Sequence, residues 1–412
     1  MSKWYSSYLA VFLLIIILLP KLTALMLLVF IPLAVVGMRK GYFTFRFNWV
    51  SLSFIILYCY YLVYCSFTRH PDMAINYLEY KLSFIIFPII TSFVPAKVDL
   101  KFPVFGFLTG SLVLFFMNLG HSFMLYSSGE PVLSAFMTTS FSFYHHPSYA
   151  ASYFIVSLFL IRYAYKHSFH WITYKFSILL SFVFVLGVFL CFSLAGMLYF
   201  FGATAVVMFI FVYKKWGPKR AYLIGLLTLV FIGAAFQFVP KMKAELNEAK
   251  IPFIEYVSNP NDFICKKQHP YTNSERRLIM WTISYNVLKE YPFGVGTGNV
   301  DEVLGRNLNN FGHKEIADEK LNPHNQFLQT GVELGWLGLI VLLIPFVIAV
   351  YYSKKYNNQL ILLLVSLLFF NMLFESMLQR QSGIVFFTFS ICFLVMLSKN
   401  KLITVAEQNN NN

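Results

Sequence analysis

Apolar runs long enough to cross a lipid bilayer recur along nearly the whole chain, and they restrict it more than any motif does. Inside hydrocarbon there is no water to bond the backbone, so every peptide N–H and C=O must be satisfied within the protein. The runs are drawn at approximately 7–20, 22–38, 49–67, 82–95, 103–125, 147–162, 172–191, 193–213, 220–239, 326–351, 359–376 and 382–398. A spanning helix needs about 20 mostly apolar residues, so the first, fourth and sixth runs are the shortest candidates. Only 12% of residues are charged and 58% are hydrophobic, whereas about 25% are charged in a soluble domain. The expected fold class is therefore all-α: a polytopic membrane protein of about 12 transmembrane helices. The opening pair, "LLIIILLPKLTALMLLVFIPLAVVG", is expected to stay as a helical hairpin, because a cleaved leader ends in small residues followed by polar sequence.

A formal charge of +14 suggests a nucleic-acid partner until the charges are placed on the spans. With the N-terminus in the cytoplasm, the inside segments carry Lys3, Arg39, Lys40, Arg46, Lys97, Lys101, Arg162, Lys166, Lys175, Lys214, Lys215, Lys219, Arg220, Lys354, Lys355, Lys399 and Lys401, which is 17 basic residues. The short outside loops carry only Lys21, Arg69, Lys81 and Arg380, which is 4. This is the positive-inside asymmetry, and an even count of spans puts both termini in the cytoplasm. The charge is explained by topology, and no nucleic acid is needed. The five cysteines (Cys59, Cys65, Cys191, Cys265, Cys392) are odd in number and lack metal-ligand spacing, so they imply neither a disulfide framework nor a metal site.

One connection is far longer than the rest. The chain divides into spans 1–9 over residues 1–239, a polar segment over 240–325, spans 10–12 over 326–398 and a low-complexity tail over 399–412, expected to be disordered. Residues 240–325 carry 11 Lys and Arg against 11 Asp and Glu, and long loops translocate whatever their charge. A structureless loop of that length is unusual, so an ordered outer-face unit containing helices is expected. "NSERRLIMWTISYNVLKEYPFGVGTGN" (273–299) supports this: Ser274 reads as an N-cap, Leu278, Trp281, Tyr285 and Leu288 form one stripe, and Pro292 with Gly294 ends the helix.

The chemistry-bearing residues cluster beside this unit. Arg277 and Trp281 are four apart and share a helix face. There they read either as headgroup anchors or as a phosphate site, since guanidinium forks two hydrogen bonds onto phosphate without deprotonating. Arg276 points elsewhere on the same helix. "PFGVGTGN" has no preceding strand and no following Lys-Ser/Thr, so its glycines serve a tight turn rather than a nucleotide loop. In "NPHNQFLQTGVELGWLG", Pro323 sets the entry to a helix, and His324 and Asn325 are expected in its first turn. Imidazole is the side chain whose unperturbed pKa suits proton transfer near neutrality. Glu333 lies deeper, where a carboxylate needs a partner. Glu375 and Arg380 arrive at the same face in "FESMLQRQSG". His145 and His146 in "FYHHPSYAAS" reach the same level. They lack the i,i+4 spacing of a helical metal pair, so they read first as turn and helix-start residues and second as substrate contacts.

Together "RLIMW" (277–281), "YPFGVGTGN" (291–299), "PHNQFLQTGVELGWLG" (323–338), "HHPSYAAS" (145–152) and "FESMLQRQSGIVFF" (374–387) resemble the O-antigen ligase and polymerase superfamily of bacterial envelopes. The layout of spans with one large outer loop before the last three is also similar. The resemblance implies an inner-membrane glycosyltransferase working at the periplasmic face. Its donor would be a glycan on undecaprenyl diphosphate and its acceptor a hydroxyl of lipid A–core. His324 would take the acceptor proton, arginines would hold the diphosphate, and transfer would be inverting, with no cofactor and no metal. Arg277 matches the family's loop arginine. The Ser-Arg that many relatives carry at the start of the eighth span reads Ser193-Leu194 here, so Arg380, with Arg69 and Arg276 as alternatives, is expected to supply the missing charge. Asn325, Glu333, Glu375, His145 and His146 would support the site.

A polymerase or a protein O-oligosaccharyltransferase of the same superfamily would use the same residues. A polytopic transporter is the reading from a different class, but it would place its ionisable groups near mid-membrane, whereas these gather at one face.

Overall fold

A computed structural model describes residues 2–95, 97–238 and 240–409. Every apolar run drawn from the sequence is mainly helical among the described residues, as the demand for internal backbone hydrogen bonds requires, although the fourth ends in a short strand, Phe93–Pro95. Among the described residues, eight segments are long and apolar enough to cross a membrane, and two further apolar helices, Lys3–Leu18 and Gln359–Met372, are shorter. The fourth segment differs most from expectation. It starts at Pro71 rather than near 82, and runs through a break at Leu82 to Thr91. Lys81, expected in an outside loop, is therefore the buried last residue of the helix Pro71–Lys81.

Lipid tails are as apolar as leucine, so helices in a bilayer associate through close packing rather than through exclusion of water. The helix Ser2–Leu18 meets Lys101–Ser127 where Gly106 lies directly on the backbone of Ala10, leaving no room for a side chain. Rings lock other pairs: Phe12 meets Phe389 edge-on at 4.7 Å, and Tyr153 meets Phe386 at 4.9 Å. A two-stranded antiparallel ladder, Phe43–Phe45 with Phe93–Pro95, is a small addition to the all-α expectation. The last helix, Gln381–Asn409, continues through most of the tail expected to be disordered, whose final three residues lie outside the described ones.

Residues 240–325 form helices, Pro240–Ser258, Pro260–Lys266, Asn273–Glu290, Val300–Asn310 and Lys314–Asp318, around a core of their own. Phe263, Ile264, Ile279, Ile283, Leu304 and Ile316 fill it, and Val332 joins from the next helix. Val300, Val303, Leu304 and Leu308 supply the apolar stripe of an amphipathic helix. The cap of Asn273–Glu290 is Thr272, not Ser274: its side chain accepts from Glu275 N while Glu275 accepts from Thr272 N, a reciprocal capping box. Of the expected stripe, Leu278 and Leu288 are buried, Trp281 is partly so, and Tyr285 is exposed.

The glycine turn docks this unit onto the membrane helices. The helix Gln326–Lys355 breaks at Gly335 (φ 71°, ψ −170°), freeing backbone groups that the turn then satisfies. Val295 N donates to Val332 O (2.9 Å), Gly296 N to Glu333 O (3.1 Å), and Trp336 N to Pro292 O (3.0 Å). Gly294 is at positive φ, and a Cβ there would sit 2.5 Å from Gly335 N. Only glycine permits that approach.

Candidate active site

Six hydrogen bonds hold the segment 322–325 in place. Asn325 is the N-cap of Gln326–Lys355: its Oδ1 accepts from Phe327 N (3.0 Å) and Leu328 N (3.1 Å), and its Nδ2 donates to Leu373 O (3.1 Å). Asn322 Oδ1 accepts from His324 N (2.9 Å) and from Ser376 Oγ (3.2 Å). Trp281 Nε1 donates to Pro323 O (2.9 Å), tying the helix Asn273–Glu290 to the same strand of chain. His324 is thus not in the first helical turn. It precedes the cap, in left-handed backbone at φ 47°, a conformation uncommon for residues other than glycine. Strain of this kind persists only where the surroundings over-determine it, and it clusters at functional sites.

The imidazole faces Glu375, with Nδ1 3.1 Å from Oε1 and 3.2 Å from Oε2. Oε2 of the same carboxylate lies 3.7 Å from His146 Nε2. Burial alone would raise the Glu375 carboxyl, but the His324 hydrogen bond, with the His146 ring and the Arg277 guanidinium nearby, outweighs it and holds the group near 2. An ionised carboxylate only accepts, so it assigns the His324 proton to Nδ1 and leaves the Nε2 lone pair unused among the described residues. His146 Nδ1 accepts from Ser148 N at the start of Pro147–Lys166. Burial lowers its pKa, with Glu375 opposing, and Arg380, His324 and Arg277 add to the fall. It starts the helix, as expected, and the same ring lies beside Glu375.

Arg277 and Arg380 bring positive charge to this cluster. Arg277 is felt at Glu375 and His146, and Arg380 at His146. Neither guanidinium has an ion pair or hydrogen bond among the described residues. Arg276 is placed differently: it binds Glu319 (2.7 Å) and Glu315 (3.0 Å) within the unit 240–325, so its charge is already matched. Arg69 is exposed, near Glu302. Ser193 caps Leu194–Trp216 by accepting from Gly196 N (3.2 Å), lies 3.1 Å from Ser148 Oγ, and is followed by the uncharged Leu194.

Two expected members belong elsewhere. His145 is buried and donates Nε2–H to Ile17 O at 2.7 Å, a core contact, and burial lowers its pKa. Glu333 does not join His324; it is buried 3.6 Å from Lys81 Nζ. Asn322, Ser376, Lys81 and Gln379 were not singled out from the sequence. Asn322 carried a signal, since an Asn two residues before a strained position often bonds the backbone there. No group of three or more His, Cys, Asp or Glu placed to hold a metal ion occurs among the described residues.

The Glu375–His324 pair yields a testable sign. Because Glu375's pKa is depressed in the folded protein, its stabilisation is complete above the ordinary value of 4.5 and is lost as pH falls toward about 2. Glu375→Gln is expected to lower the thermal midpoint of the detergent-solubilised protein at pH 7, with the gap from wild type narrowing below pH 4.5. A gap that stays constant down to pH 3 would contradict this.

Residues 179–343 match the O-antigen ligase family (Wzy_C). That interval includes Arg277 and His324 and ends before Glu375 and Arg380. Over 211 residues the chain is 28% identical to an uncharacterized protein of Haemophilus influenzae, covering 47% of this chain and 50% of that one. The chain thus spans about half the length of the curated relative it matches.

Proposed function

We propose that this chain, whose residues 179–343 match the O-antigen ligase family, is a glycosyltransferase that moves a glycan from undecaprenyl diphosphate to a hydroxyl of lipid A–core at the periplasmic face of the inner membrane. The carrying observation is the Glu375–His324 hydrogen bond beside two guanidiniums that form no ion pair among the described residues. The acceptor oxygen attacks the anomeric carbon, and its proton passes to His324 Nε2. The bond from that carbon to the diphosphate breaks on the opposite side, so the configuration inverts and the electron pair leaves with the diphosphate. Arg277 and Arg380 are oriented before the reaction toward the charge that grows there. Glu375 keeps the tautomer correct and offsets the imidazolium that forms, while His146 lies beside the same carboxylate.

The sugar leaves a lipid, so its diphosphate must sit where headgroups do, and the reacting groups must meet it from water. The position of His324 at the start of an apolar helix supports that reading. Deletion of the gene tests it. Loss of a ligase leaves unsubstituted lipid A–core, with long chains accumulating on the carrier. Lipopolysaccharide capped by a single repeat would make the protein a polymerase instead, and an unchanged glycan profile would contradict glycosyl transfer altogether.

A further inference from the structure

Lys81 and Glu333 are charged side chains at 1% exposure, and the reaction described above uses neither. Their Nζ and Oε1 are 3.6 Å apart. Lys81 Nζ also lies over the rings of Tyr61 (4.5 Å) and Tyr77 (5.2 Å). Gln379 closes the arrangement: Lys81 Nζ donates to its Oε1 (3.3 Å), and its Nε2 donates to Glu333 Oε2 (3.4 Å). Next to it, Leu378 N donates to Gln326 Oε1 (2.7 Å), Gln326 Nε2 donates to Thr330 Oγ1 (3.0 Å), and Thr330 lies 3.4 Å from Tyr61 OH.

Burying an ion pair costs desolvation that its attraction often fails to recover, so such a pair is weak evidence for stability and better evidence for geometry. Here the geometry has an evident object. Gln379 and Leu378 lie in the turn between Gln359–Met372 and Gln381–Asn409, a stretch of eight residues with one short 3₁₀ turn. Glu375 lies four residues before Gln379, and Arg380 one residue after it. We propose that Lys81 is a positioning residue: paired with Glu333, it uses Gln379 to hold the turn that presents Glu375 to His324 and Arg380 to the site. The pair joins three parts distant in sequence, the helix Pro71–Lys81, the helix Gln326–Lys355 and the turn, so the carboxylate and the imidazole it orients are referenced to one buried strut. A lysine suits this place because its three donors reach Glu333 and Gln379 together.

The inference rests on His324 acting as the base, so its test is independent of transfer. Protein labelled with ¹⁵N-histidine is reconstituted in liposomes at pH 8, and the tautomer of His324 is read from its ring nitrogen shifts, assigned by their loss in His324→Ala. Wild type is expected to hold the Nδ1–H tautomer. Gln379→Leu cuts the link to the turn. The double variant Lys81→Met/Glu333→Leu removes both charges together, so that neither is left buried alone. In each, the Nε2–H fraction is expected to rise about tenfold or more, the shift implied by losing a hydrogen bond to a charged group. Retention of a single Nδ1–H tautomer in both variants would overturn the positioning role. A wild-type protein without the Nδ1–H tautomer would overturn it as well. Neither result depends on whether His324→Ala transfers glycan, which decides the functional reading separately.

Discussion

Replacing His324 with alanine is expected to reduce glycan transfer by about 10² to 10⁴-fold, the range a general base contributes. In a deletion strain complemented with this variant, lipid A–core should stay unsubstituted while the protein reaches the membrane at wild-type level. The imidazole is only partly buried, and among the described residues its side chain's one hydrogen-bond partner is Glu375, so its loss should cost little in folding. The backbone bonds that shape the segment come from Asn322, Asn325 and Trp281, which the substitution leaves in place. Wild-type levels of substituted lipopolysaccharide in His324→Ala would remove the assigned base.

The second large effect is expected at Arg277. Its guanidinium is felt at Glu375 and His146, and removing one donor aimed at growing negative charge costs about 10² to 10³ in rate. Arg277→Lys should recover little, because an ammonium cannot reproduce the two-pronged grip on phosphate oxygens. The neighbouring Arg276 provides the control. Its partners are Glu315 and Glu319, so Arg276→Ala should loosen the unit 240–325 yet leave transfer within a fewfold of wild type. Equal losses at Arg276 and Arg277, measured as lipopolysaccharide substitution in complemented cells, would contradict separate roles for the two.

The membrane helices were legible because lipid leaves the backbone few options: a long apolar run has to be helical, and the drawn runs are mainly helical among the described residues. The misreadings arose where polar contacts override local pattern. "TNSE" held the Thr272–Glu275 capping box in plain view, two residues upstream of the serine that was read as the cap. Proline before His324 suggested a helix start, but the cap of Asn325 and the bond from His324 N to Asn322 hold the histidine outside the helix. The break at Gly335 was hidden because "ELGWLG" continues the apolar run; what opens the helix is the turn 292–296, some 40 residues earlier. Glu333 was expected to find a partner, but nothing local names Lys81, which is 252 residues away and looked like a loop residue. Residue types and their shared face were thus visible in the sequence, whereas pairings were not. Arg276 and Arg277 are adjacent and chemically identical, and only three-dimensional contacts separate them.

Everything proposed for this site requires residues 240–325 to face the periplasm. Cys265 is exposed within that unit, so it can report the side directly once the other four cysteines are replaced by serine or alanine. Intact spheroplasts are treated with a membrane-impermeant maleimide, and labelling is compared with that of lysed membranes. Labelling of Cys265 to the same extent in both is predicted. Protection in intact spheroplasts, with labelling only after lysis, would put His324 and Arg277 on the cytoplasmic side and contradict transfer at the outer face.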